Sequence, residues 1–134
     1  MIKKPKVLFI SQEIFPYLES STIGNIARHL TQGTQEKGKE IRTYMPRFGV
    51  VNERRNQLHE VIRLSGMNLI IDESDHPLII KVASIQAARM QVYFIDNEEY
   101  FQRKHTTHDA DNNFFKDNDD RTIFFYRGVL ETVK

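Results

Sequence analysis

With 134 residues, 40% of them hydrophobic and 28% charged, the chain is long enough for one globular domain with its own core. Nineteen Lys and Arg stand against eighteen Asp and Glu, which gives no electrostatic reason to expect nucleic acid or an anionic membrane as a partner. The absence of Cys excludes a disulfide framework, a thiolate nucleophile and a Cys-based zinc site, and fits a reducing, cytoplasmic setting.

Val7 to Ser11 reads as a buried strand, and its apolar run is too short for a signal peptide or a membrane span. Ser20, Ser21 and Thr22 offer N-cap hydroxyls to a helix whose Ile23, Ile26, Ala27 and Leu30 recur at helical spacing. Gly38 is placed to end that helix, and Glu40 to Pro46 reads as a second strand. Together these make a right-handed β-α-β unit with parallel strands. After a polar loop over Arg47 to Asn56, the β-branched runs Val61 to Leu64, Met67 to Ile71 and Leu78 to Ile85 read as strands. Asp72 to Pro77 reads as a turn cluster between the last two. The pattern predicts an antiparallel hairpin or meander inserted into a parallel frame. Met90 to Asp96 is a further strand, Asn97 to Phe101 a helical turn, and Lys104 to Phe115 a flexible polar loop. The last segment, from Asp119, is a helix with Ile123, Phe124, Val129, Leu130 and Val133 near one face. It reaches Lys134 without a Gly, Asn or Pro stop, which reads as a piece of a longer protein. The fold class is α/β, a Rossmann-like three-layer domain with a parallel core and an inserted antiparallel β-hairpin.

Ligands of parallel sheets bind beyond the carboxyl ends of the strands. Glu13 and Asp96 stand at such ends and could do acid–base work or hold loop backbone. Arg47 could meet a phosphate or sugar hydroxyl, or serve as an ion-pair partner. Tyr17, Tyr93, Tyr100 and Phe101 could stack on sugars, but aromatics at these spacings are expected in the core. His105 and His108, with Asp109 and Asp111, have metal-ligand chemistry but sit in a loop without supporting groups. No metal and no cofactor is expected, and no catalytic residue is assigned.

Several segments together resemble the glycogen and starch synthases. Lys6 to Pro16 is similar to that family's first strand and the serine, glutamate and proline that follow it. Lys37-Gly38 resembles its approach to strand two, and Met45-Pro46-Arg47-Phe48-Gly49 its methionine-proline-arginine-tyrosine-glycine segment. Val92 to Asp96 with Tyr100, Phe101 and Arg103 resembles its next strand and turn. Asp117-Asn118, Arg121, Phe124-Phe125 and Leu130-Glu131 resemble the start of a later helix. The resemblance implies the first part of the N-terminal domain of a GT-B enzyme, with residues 1–134 as a single domain and the C-terminal nucleotide-binding domain absent. It implies transfer of glucose from a nucleotide-glucose donor to an α-1,4-glucan, without metal, and a chain that is inactive alone.

One segment departs from that pattern. Where the family carries lysine-threonine-glycine-glycine-leucine, with the lysine on the donor's phosphates, this chain reads Glu19-Ser20-Ser21-Thr22-Ile23. A carboxylate near a diphosphate is repelled, by about 1 kcal/mol in water and more where solvent is excluded. Glu13, Glu19, Ser20, Ser21, Thr22, Arg47 and Asp96 are the candidate substrate-binding residues. The departure motivates an alternative function, a non-catalytic module that binds glucan or a synthase partner. A receiver-like signalling domain with Asp96 as phosphoacceptor fits poorly, because the first strand ends Ser-Gln-Glu and the hairpin insertion is foreign to it.

Overall fold

A computed structural model describes residues 5–19 and 21–133. Five strands form the main sheet in the order β1 (Lys6–Ile10), β2 (Glu40–Pro46), β7 (Met90–Asp96), β6 (Ile79–Ile85) and β3 (His59–Glu60). β1, β2 and β7 are parallel, whereas β6 and β3 run antiparallel to their neighbours. A separate two-stranded sheet pairs β4 (Asn68–Ile71) with β5 (Ser74–Pro77). The parallel core with an antiparallel insertion is the architecture the sequence predicts.

The helices take opposite faces of the sheet. α1 (Thr22–Glu36) buries Gly24, Ala27 and Thr31, and the Thr31 hydroxyl lies 3.7 Å from the Met90 sulfur. Strand alternation puts Val92 and Phe94 on the same face as Met90. α2 (Asn118–Val133) buries Phe124, Phe125, Gly128, Val129 and Thr132. Gly128 lies so close to the sheet that a Cβ there would meet Ile95 Cγ2 at 2.9 Å and Leu78 Cδ1 at 3.0 Å. Ile95 points away from Phe94, so α2 covers the other face.

Four expectations are corrected. β1 is an edge strand, not a buried one, and its Leu8 is 43% exposed. Ile62–Leu64 is a 3-10 turn instead of a strand. There the Ser65 hydroxyl donates to the Val61 carbonyl at 3.0 Å and accepts from the Ile80 N–H at 3.0 Å, replacing rungs of the β3–β6 ladder. Within Asp72 to Pro77 only Asp72 and Glu73 turn, with φ of 48° and 68°. That pair is enough for a two-residue hairpin of the left-handed type, and Ser74–Pro77 is strand. Finally, both helices point part of their expected core face outward. Ile23, Ile26 and Leu30 of α1 are each more than half exposed, and Ile123, Leu130 and Val133 of α2 are exposed as well. On α1 the small residues Gly24, Ala27 and Thr31 take the inward place, and on α2 Phe124, Phe125 and Val129 do so beside Gly128, which leaves the other aliphatic side chains outside.

Candidate functional site

The carboxyl ends of β1, β2 and β7 release three loops on one side of the sheet. In the first, the Ser11 hydroxyl donates to the Glu13 carbonyl at 2.8 Å and so curls the chain back. Ser21 then caps α1, its hydroxyl oxygen accepting from the Gly24 N–H at 3.0 Å. The same hydroxyl donates to the Glu13 carboxylate at 3.4 Å. A helix N-terminus favours negative charge, and here a carboxylate of the chain itself stands beside the cap.

The second and third loops are locked together by Gly49. A Cβ at this position would collide with the backbone carbonyl of Arg103, so only glycine lets the segment after β2 lie against the segment after β7. Arg103 is fixed in turn by Asp117, with Nη1 2.8 Å from Oδ1, and by the Glu99 carbonyl, which accepts from its Nε at 3.2 Å. That hydrogen bond to Arg103 holds the Asp117 carboxyl below its ordinary range.

Between the loops lies a cleft of about 860 Å³. Glu13, Phe15, Tyr17, Glu19 and Ser21 of the first loop line it, with Asn52, Arg55 and Asn56 of the second and Lys104, His105 and Asp109 of the third. Burial pushes the Tyr17 phenol up to about 12, despite the opposing pull of Arg28. The lining thus mixes carboxylates, cations, amides and hydroxyls.

The remaining candidates lie elsewhere. Arg47 and Asp96 turn toward each other, Nε to Oδ2 at 3.1 Å, and both are buried. Lys81 Nζ joins the same carboxylate at 2.9 Å and also pairs with Glu53, while the Asn97 N–H donates to Asp96 Oδ1 at 2.8 Å. Thr22 is exposed in the first turn of α1. Ser20 lies outside the described residues. Tyr93 stacks on Tyr44 with ring centroids 5.4 Å apart, and Tyr100 hydrogen-bonds to buried His76 at 3.0 Å. His105 lines the cleft and His108 packs on Phe114, but among the described residues no group of three His, Cys, Asp or Glu could hold a metal ion.

Sequence reasoning did not single out Asn52, Asn56, Lys104 or the role of Arg55, because aperiodic polar loops carry no signal for which side chains converge. Arg121 it quoted only within a motif. This Arg is buried, with its guanidinium carbon 5.7, 5.5 and 5.1 Å from the ring centroids of Phe48, Phe101 and Phe115. Its Nε donates to the Tyr100 carbonyl at 2.7 Å, and burial, helped by Arg103, pushes its pKa down to about 10. The signal for it was an arginine on the inward face of α2 beside Phe124 and Phe125.

The family match decides what this architecture is. Residues 6–134 match the starch synthase catalytic domain family. The chain belongs to that family. It is 36% identical over 129 residues to a glycogen synthase of Chlorobium luteolum, a region that covers 96% of this chain and 26% of that protein. Over 130 residues it is 35% identical to a glycogen synthase of Chlorobium limicola, covering 96% and 27%. The chain therefore spans about a quarter of the length of these relatives, and it is homologous to the N-terminal part of glycogen and starch synthases. Its fold is similar to that of the catalytic domain of starch synthase IV from Arabidopsis thaliana, solved bound to ADP and acarbose. The TM-score is 0.76 at 19% identity, covering 96% of this chain and 25% of that one. Among the described residues, no helix is long and apolar enough to cross a membrane.

Proposed function

We propose that residues 1–134 form a single domain, the acceptor-side lobe of a glycogen or starch synthase-like glucosyltransferase. The full-length protein would transfer glucose from a nucleotide-glucose donor to an α-1,4-glucan in the cytoplasm; this chain alone binds glucan and does not transfer glucose. The observation that carries the reading is the mixed lining of the cleft. Glu13, Glu19 and Asp109 line it together with Arg55 and Lys104, so no sign of charge dominates. Such a site suits a neutral polyol, which exchanges hydrogen bonds with carboxylates, amides and cations alike, better than a diphosphate, which the carboxylates repel. The ADP and acarbose bound to the Arabidopsis neighbour and the family match support a nucleotide-sugar donor and a glucan acceptor for the full-length protein.

A non-catalytic glucan-binding module is the second reading, favoured by Glu19 and Ser21 at the family's lysine and first glycine. The two separate on one assay. Labelled ADP-glucose and UDP-glucose are offered, with glycogen, to the 134-residue chain and to the longer product of its gene. The enzyme reading expects transfer only from the longer product. Retention on glycogen without transfer by either supports the module. Failure of both to bind glycogen contradicts both.

A further inference from the structure

We infer that Lys81 is a positioning residue for the cleft: through Glu53 it holds the turn over residues 52–57 and so sets where Asn52, Arg55 and Asn56 meet the ligand. This deepens, and rests on, the reading of the cleft as a glucan site.

The turn has no apolar grip of its own. It reads Asn52-Glu53-Arg54-Arg55-Asn56-Gln57, six polar residues in a row, so nothing inside it gains by burial against the core. It closes on itself instead. Asn52 Oδ1 accepts from the Arg55 N–H at 2.8 Å, the Asn52 carbonyl accepts from Asn56 Nδ2 at 2.8 Å, and the Leu58 N–H donates to the Glu53 carbonyl at 2.9 Å. The apolar anchors stand at its ends, where Val51 is buried and Leu58 packs against the core. Two end points leave a turn free to roll about the line that joins them. Among the described residues, the hydrogen bond that leads from this turn to the sheet is the one between Glu53 and Lys81. It supplies a third point, off that line.

Lys81 is a firm point to hold from. It lies within β6, paired with Phe94 of β7 on one side and Glu60 of β3 on the other. Its ammonium is 2.9 Å from Asp96 Oδ2, and that carboxylate is fully buried. Burial pulls the Lys81 pKa down, but the bonds to Glu53 and Asp96 outweigh it and leave it raised. An exposed ion pair gains little, because two long side chains lose their freedom and water screens the charges. Here Asp96 already orders the lysine, and the Lys81 side chain is only 15% exposed, so the pairing costs the freedom of Glu53 alone.

The side chains of the turn divide by role. Asn52, Arg55 and Asn56 line the cleft, whereas Glu53 does not and reaches the sheet instead. A pair that served stability alone would alter melting and leave affinity unchanged. A pair that sets the roll of the turn alters affinity even where melting is unchanged.

Titration of the 134-residue chain with maltoheptaose, followed by backbone amide shifts, tests this. Glu53→Gln and Lys81→Met should each raise the dissociation constant about fivefold or more, the size expected of one lost ordered ion pair. Lys81→Arg keeps the charge and should bind within about twofold of the native chain. Glu53 is half exposed, so Glu53→Gln should fold with a melting temperature close to native and remains decisive if Lys81→Met does not fold. Native affinity in Glu53→Gln overturns the proposal, whatever Lys81→Met does. If the native chain itself binds no maltoheptaose, the glucan reading fails, and nitrogen-15 relaxation of residues 52–57 decides the tether: lost order in Glu53→Gln supports it, and unchanged order overturns it.

Discussion

Arg47 Nε sits 3.1 Å from Asp96 Oδ2, and both side chains are shut away from solvent. The pair ties the end of β2 to the end of β7, and neither residue lines the cleft. Removing the carboxylate leaves Arg47 and Lys81 without their shared counter-charge, and breaking a buried pair costs about 3–5 kcal/mol. Asp96→Asn should lower unfolding free energy by that order in urea, while the folded fraction keeps its glycogen affinity. Unchanged stability with lost affinity would return Asp96 to the binding site.

Glu19 predicts a change in donor affinity. Glu19→Lys replaces a repulsion of about 1 kcal/mol by an attraction of similar size. In the longer protein, ADP-glucose should bind about tenfold more tightly or better by calorimetry. No change would mean that the donor's phosphates bind far from Glu19.

Asp117 gives a pH dependence. Its folded-state carboxyl titrates below its unfolded value, chiefly because Arg103 donates to it. The stabilisation is therefore complete above the ordinary carboxylate range and is lost as pH falls through the lower folded value. The melting-temperature gap between the native chain and Asp117→Asn should be widest near neutrality and should close only as pH falls below the ordinary carboxylate range. A gap independent of pH would contradict this.

Gly49 and Gly128 should respond differently to Ala. At Gly128 the new methyl meets the flexible ends of Ile95 and Leu78, an overpacking cost of about 1–3 kcal/mol. At Gly49 it meets the backbone of Arg103, so the loops must part. Gly49→Ala should weaken glycogen binding, whereas Gly128→Ala should reduce stability and leave affinity intact in the folded fraction. Heat denaturation and glycogen sedimentation check both.

The order of strands and helices is legible in the sequence because apolar runs, Gly38 and the Ser21 cap each act locally. What is not legible depends on partners distant in sequence. Periodicity shows that α1 has an aliphatic row at Ile23, Ile26 and Leu30, but the neighbouring row of Gly24, Ala27 and Thr31 packs closer and takes the inward place. Arg47 and Asp96 are 49 residues apart, and the parallel register of β2 with β7 is what joins them. Glu13 and Ser21 stand near a strand end and at a helix cap, whereas Glu19 stands out only against the family's motif. Their partners in the cleft come from loops whose paths are fixed by Gly49 and Arg103.

The most direct test follows backbone amide shifts of the 134-residue chain by NMR, with maltoheptaose and ADP-glucose titrated separately. The account predicts that maltoheptaose shifts amides at Glu13, Glu19, Ser21, Arg55 and His105, and that ADP-glucose leaves them unmoved. ADP-glucose binding at those residues, or maltoheptaose binding confined elsewhere, would contradict it.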